Sequence, residues 1–81
     1  MPVILREKGY KLFFYSNEGI PREHAHIHIR KAEAVAKVWI EPDVQLESAF
    51  GFSSSELSEI AELVLVHREQ LLRSWYEYFG E

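Results

Sequence analysis

The segment His24-Ala25-His26-Ile27-His28-Ile29-Arg30 alternates strictly, with polar residues at even positions and Ala, Ile, Ile at odd ones. A period of two belongs to a β-strand, whose side chains point in turn to its two faces. The pattern therefore predicts a half-buried strand with His24, His26 and His28 together on one open face. Such a strand needs partners. Val3-Ile4-Leu5 and the aromatic-rich Tyr10–Tyr15 read as extended pieces joined near Lys8-Gly9. Ala34–Ile40 reads as a strand with Val38 and Ile40 on one face and Lys37 and Trp39 on the other. Val44, Leu46 and Ser48 alternate with Gln45 and Glu47 as a weaker, shorter strand. Ser16–Gly19 and Pro21 form a connection dense in turn formers.

The rest of the chain changes period. Ser53 stands where an N-cap belongs and Glu56 follows three residues on, a capping box. Phe52 and Leu57 fit a hydrophobic staple. Leu57, Ile60, Ala61, Val64, Leu71, Trp75 and Tyr78 recur at helical spacing, and Gly80 suits a C-cap. One helix over 53–79 would be about 39 Å long at 1.5 Å per residue, against about 20–23 Å for the strands. It should therefore overhang its sheet. A second apolar line, Leu65, Leu72 and Phe79, runs beside the first. The C-terminal residues Leu72, Trp75, Tyr76 and Phe79 are thus expected to form a partner surface, since aromatic residues dominate interface hot spots.

Composition bounds the function. The 81 residues make one small domain, and 47% hydrophobic with 27% charged residues excludes disorder as the default. The chain contains no apolar run of about 18 residues, so no membrane-spanning helix is expected. Arg6, Glu7 and Lys8 argue against a secretory signal, and a cytoplasmic location is expected. Without cysteine there is no disulfide, thiolate metal site or cysteine nucleophile. Residues 1–52 carry seven basic and seven acidic groups, whereas 53–81 carry two basic and six acidic. The helix is a poor surface for phosphate, and the locally basic stretch is Arg22 to Lys37.

Three chemistries fit the histidines. Imidazole is a common metal ligand, and His26 with His28 could grip one divalent ion. Strand residues two apart are about 6.6 Å apart and residues four apart about 13 Å, so a metal would need a third group such as Glu18, Glu23 or Asp43. The histidines could instead face RNA as acid–base groups, or form a plain solvated face. Tyr15, Asn17 and Glu18 precede the histidine strand and could support a site there.

Several linked motifs run through the whole chain: Met1-Pro2-Val3-Ile4, Phe13–Glu18, the His-x-His strand, Ala36–Pro42, Gly51-Phe52-Ser53 and Trp75–Phe79. In this order they resemble the small bacterial and archaeal family known as domain of unknown function 4160. Members are often encoded beside a second small protein, an arrangement like a type II toxin–antitoxin pair in which this family is the toxin-like half. The resemblance marks His26, His28, Tyr15, Asn17 and Glu18 as candidate positions. Members tend to carry Gly in the turn after the histidine strand, whereas Lys31-Ala32-Glu33-Ala34 has none.

The expected fold is α+β, a single domain with a small antiparallel sheet of three to four strands over 2–49 and one long C-terminal helix packed across it. The leading functional expectation is a toxin-like protein that binds a cognate antitoxin-like partner and acts on RNA or the ribosome. Its contact surface would be His24, His26, His28, Asn17, Arg22, Arg30, Lys31 and Lys37. His26, His28, Tyr15 and Glu18 are the catalytic candidates. The alternatives are a metal-dependent hydrolase or nuclease built on His26 and His28, and a non-catalytic adaptor. A homodimer is expected from the overhanging helix.

Overall fold

The computed structural model describes residues 3–15 and 24–80. The strands β1 (Val3–Glu7), β2 (Tyr10–Phe13), β3 (His26–Lys31), β4 (Ala34–Trp39) and β5 (Gln45–Phe50) form one sheet in sequential order, each neighbour antiparallel. The helices α1 (Ser54–Val66) and α2 (Arg68–Phe79) follow, so the fold is α+β. The sheet has five strands rather than three to four. All six residues of the edge strand β5 are exposed. An alternating signal needs one buried face, and an edge strand without one reads faintly in sequence.

Two-residue turns set the hairpins. Lys8 and Gly9 both have positive φ, at 55° and 84°, the pair of left-handed residues that closes a tight hairpin with the natural strand twist. In the β3–β4 turn Ala32 adopts φ 54° where glycine would be unstrained. Gly51, at φ 87°, leads from β5 towards α1. A Cβ there would lie 3.1 Å from that of Ala34 on a backbone that side chains rarely adopt, so any other residue would be strained and crowded.

One face of the sheet is sealed. Tyr10, Leu12, Phe14, Ala25, Ile27, Ile29, Ala36, Val38 and Ile40 pack with Ile60, Leu63 and Val64 of α1 and Leu71 and Trp75 of α2. The odd residues of β3 and the even residues of β2 and β4 share this face, as the register Leu12↔Ile29 and Ile27↔Val38 requires.

The helix is not one rod. Ser53 caps α1: its hydroxyl accepts from the Glu56 N–H at 3.1 Å and its own N–H donates to Glu56 at 2.9 Å. That N–H, and then the Lys31 ammonium, hold the Glu56 carboxyl below its ordinary range. At His67, with φ −102° and ψ 15°, the helix breaks. His67 pairs with Glu7 at 3.2 Å, and the Arg68 guanidinium donates to the carbonyls of Ile40 and Pro42 at 2.9 and 3.2 Å. The protein's longest dimension is 34 Å, shorter than the unbroken helix of about 39 Å. Breaking at His67 keeps Leu71 and Trp75, both fully buried, on the core. The single unbroken rod expected from the sequence is thus replaced by two shorter helices.

Two outcomes follow for stability. Ala32→Gly should stabilise the fold by about 1 kcal/mol, because glycine removes the left-handed strain; chemical denaturation reads this directly. The Tyr10 hydroxyl donates to Glu59 at 2.7 Å, and burial first, then that carboxylate, push its pKa from 10.0 to about 12. The unfolded chain releases this proton near pH 10 and the folded one near pH 12, so the contribution is intact below pH 10 and is lost as pH rises to about 12. Tyrosinate absorption should show Tyr10 ionising near pH 12, and Tyr10→Phe should reduce the late-ionising absorbance by one tyrosine.

Candidate functional site

The face of the sheet away from the helices is built in three cross-strand rows. Nearest the hairpin turns, Arg6 sits opposite Lys11, Lys11 opposite Arg30, Arg30 opposite Val35 and Val35 opposite Phe50. The middle row is Phe13, His28, Lys37 and Ser48. The third is His26, Trp39 and Gln45. Alternation within each strand directs these residues away from the core face, although His26, at the sheet's end, is enclosed by Trp75 of α2.

A groove of about 430 Å³ crosses this face, lined by Tyr15, His28, Arg30, Lys37, Ser48 and Phe50 among others. Its aromatic rings are accessible: Tyr15 is 41% exposed and Phe50 75%. Phe13 is buried beneath, stacked on His28 with centroids 5.7 Å apart. The Tyr15 ring meets His28 edge-on at 4.6 Å. The Lys37 ammonium lies 4.7 Å above the Trp39 ring, and Glu47 accepts from the Trp39 indole N–H at 2.8 Å. An imidazole and a phenol thus stand side by side at a groove bearing cations, within reach of one bound group.

The three histidines do not line up in solvent. His24 is exposed, His28 half-buried, and His26 fully buried. His26 is paired with Trp39 in register, and its ring lies 5.2 Å from Trp39 and 4.9 Å from Trp75, which α2 lays against it. Its Nδ1 donates to the His24 carbonyl at 2.9 Å, since a carbonyl can only accept. His26 is therefore a core histidine at the sheet's end, not a groove-facing group. Among the described residues no cluster of three His, Asp or Glu side chains could hold a metal ion. Asn17, Glu18, Arg22 and Glu23 lie outside the described residues.

Two further expectations are corrected. Lys31 follows Arg30 but points to the opposite face, where its ammonium meets Glu56 at 3.6 Å and the Tyr10 ring at 4.9 Å. A one-residue step along a strand changes face, so adjacency in sequence misassigned it. Trp75 is fully buried against Phe14, Phe79 and His26, with centroid separations of 5.2, 4.3 and 4.9 Å. It is core, not partner surface; its indole N–H has no hydrogen-bond partner among the described residues. Leu72, Tyr76 and Phe79 are half-buried against the same core, and the Tyr76 hydroxyl donates to Glu41.

Arg6, Lys11 and Phe50 are the groove-face residues that sequence reasoning passed over. Lys11 alternates with Phe13 and Tyr15, a signal for a shared face. Arg6 and Phe50 reach the face through strand register, which pairs residues far apart in sequence.

The family model for a domain of unknown function, DUF4160, matches residues 9–76. The chain belongs to that family. The matched span of this DUF4160 protein runs from the β1–β2 turn to α2 and includes the groove's Tyr15, His28, Lys37 and Phe50. Comparison with curated proteins and with solved structures finds no match.

The burial of His26 and the half-exposure of His28 predict opposite mutational profiles. His26→Ala should lower stability by about 2–4 kcal/mol through the cavity it leaves between two indoles. His28→Ala should cost clearly less, as part of its surface is already wet. Parallel urea melts distinguish the two, and equal destabilisation would contradict the burial assigned to His26.

Proposed function

We propose that this protein is the toxin-like half of a two-protein pair and binds single-stranded RNA on the open face of its sheet. The observation that carries the proposal is the composition of that face. Arg6, Lys11, Arg30 and Lys37 share it with the exposed rings of Tyr15 and Phe50 and with His28. Cations tracking phosphates, interleaved with rings on which bases stack, are what a sheet needs to hold an unpaired strand. The carboxylates Glu56 and Glu59 sit on the helical side, bonded to Lys31 and to Tyr10. The open face thus gathers four cations, with Glu47 held by the Trp39 indole, and attracts a polyanion. The pairing with an antitoxin-like partner rests on the family resemblance. Acidic helices leave the groove face free for RNA and offer a separate side to a basic partner.

The test has two parts. Expressed alone, the protein should slow growth, and co-expression of the small protein encoded beside it should restore growth. In vitro, a short unstructured oligoribonucleotide should bind with an affinity that falls with salt. Neutralising one phosphate-tracking cation, as in Lys37→Gln, should make the salt slope shallower by about 0.7. Tyr15→Ala and Phe50→Ala should each weaken binding by about 1–3 kcal/mol without changing the slope. Normal growth together with no measurable binding would sink the proposal.

A further inference from the structure

At one end of the open face, the gap between the β1–β2 and β3–β4 hairpin tips forms a pocket of about 460 Å³. Its lining includes Arg6, Glu7, Lys8, Lys11, Arg30 and Lys31, five cations and one carboxylate. The charges are not equivalent. Lys8 is near Glu59 at 3.9 Å, Lys31 meets Glu56 at 3.6 Å, and Glu7 is engaged by His67 at 3.2 Å. Those contacts lie on the helical rim. On the open-face rim, Arg6, Lys11 and Arg30 have neither a hydrogen bond nor an ion pair among the described residues.

These three cations stand directly opposite one another across β1, β2 and β3. Like charges in directly opposed cross-strand positions repel and destabilise a sheet. A row of three, beside a concave space and with no ion pair of its own among the described residues, is a local rule broken, and such breaks mark functional sites. Side chains on neighbouring strands start about 4.5–5.5 Å apart, close enough for long basic chains to converge on one anion. A phosphodiester offers one negative charge, whereas a phosphate monoester carries about −1.5 to −2 and three strong acceptor oxygens. Three cations without an ion pair among the described residues match the monoester.

We infer that this pocket binds the terminal phosphate of an RNA strand lying along the groove, holding it with Arg6, Lys11 and Arg30. The inference rests on the RNA-binding reading above and adds which end-group the protein prefers. The groove and the pocket share Arg30, so a strand stacked on Tyr15 and Phe50 leads into the cationic row.

The experiment measures binding of one short unstructured oligoribonucleotide carrying a phosphate at one terminus, at the other, or at neither, at fixed salt. One phosphorylated form should bind about tenfold or more tighter than the hydroxyl-ended strand, as charge-assisted hydrogen bonds of this kind imply. In the double variant Arg6→Gln, Lys11→Gln that ratio should collapse to within about twofold of unity. The thermal midpoint of the free variant should equal or exceed that of the wild type, since the repulsion is relieved; this also confirms folding. If all strands bind equally, the terminal-phosphate inference is overturned and RNA binding stands. If no strand binds, both fall. A ratio that survives in the double variant, or a nucleoside monophosphate binding as tightly as the phosphorylated strand, overturns the inference as well.

Discussion

A five-stranded sheet has two faces, and this chain has apolar helix enough to cover one of them. Every other feature answers to that constraint. Leu12, Ile27, Ile29, Val38 and Ile40 commit the alternate positions of three central strands to the side that α1 and α2 cover. The intervening positions are thereby committed to the other side, whatever their chemistry. In this protein they are cations, rings and imidazoles. The central strand β3 shows the division most sharply: Ile27 and Ile29 are fully buried while Arg30 is exposed.

Covering even one face with a terminal helix raises a problem of length, which the break at His67 solves. Neither Pro nor Gly stands there to interrupt the helix. Instead the side chains around the break are tied to the sheet, His67 to Glu7 and Arg68 to the carbonyls of Ile40 and Pro42. The redirected α2 brings Trp75 onto Phe14 and His26. A histidine in an alternating polar series thus becomes part of an aromatic core. The helix that hides His26 leaves His28 beside Tyr15, so two imidazoles of one strand acquire different surroundings, and only His28 lines the groove.

The uncovered face pays for its charge in repulsion. Arg6, Lys11 and Arg30 are neighbours across three strands, and a sheet selected for stability alone would alternate their signs. The helical side does so: Lys31 has Glu56, and Lys8 has Glu59 nearby. The contrast at one end of the molecule, between cations that have ion pairs among the described residues and cations that have none, underlies both the RNA-binding proposal and the assignment of a terminal phosphate.

Much of this was legible in residue order. The period of two over 24–30, the two-residue turn at Lys8-Gly9, and the Ser53–Glu56 capping box each specify their element, because each depends on neighbours within a few positions. The groove's His28, Tyr15, Arg30 and Lys37 were also in view. What lay beyond the sequence needed partners from a distance. The alternation over Val44 to Ser48 marks β5 only weakly, because that strand buries neither face. Nothing local at His67 announces a break that depends on Glu7 and Ile40. The burial of His26 and Trp75 follows from where α2 lands, and the cationic row from strand register. The sequence by itself determined which residues alternate and where helix replaces strand, since those are short-range properties of the backbone. Only the tertiary structure decided which face is covered and which charges become neighbours, because packing and register join residues that the chain keeps far apart.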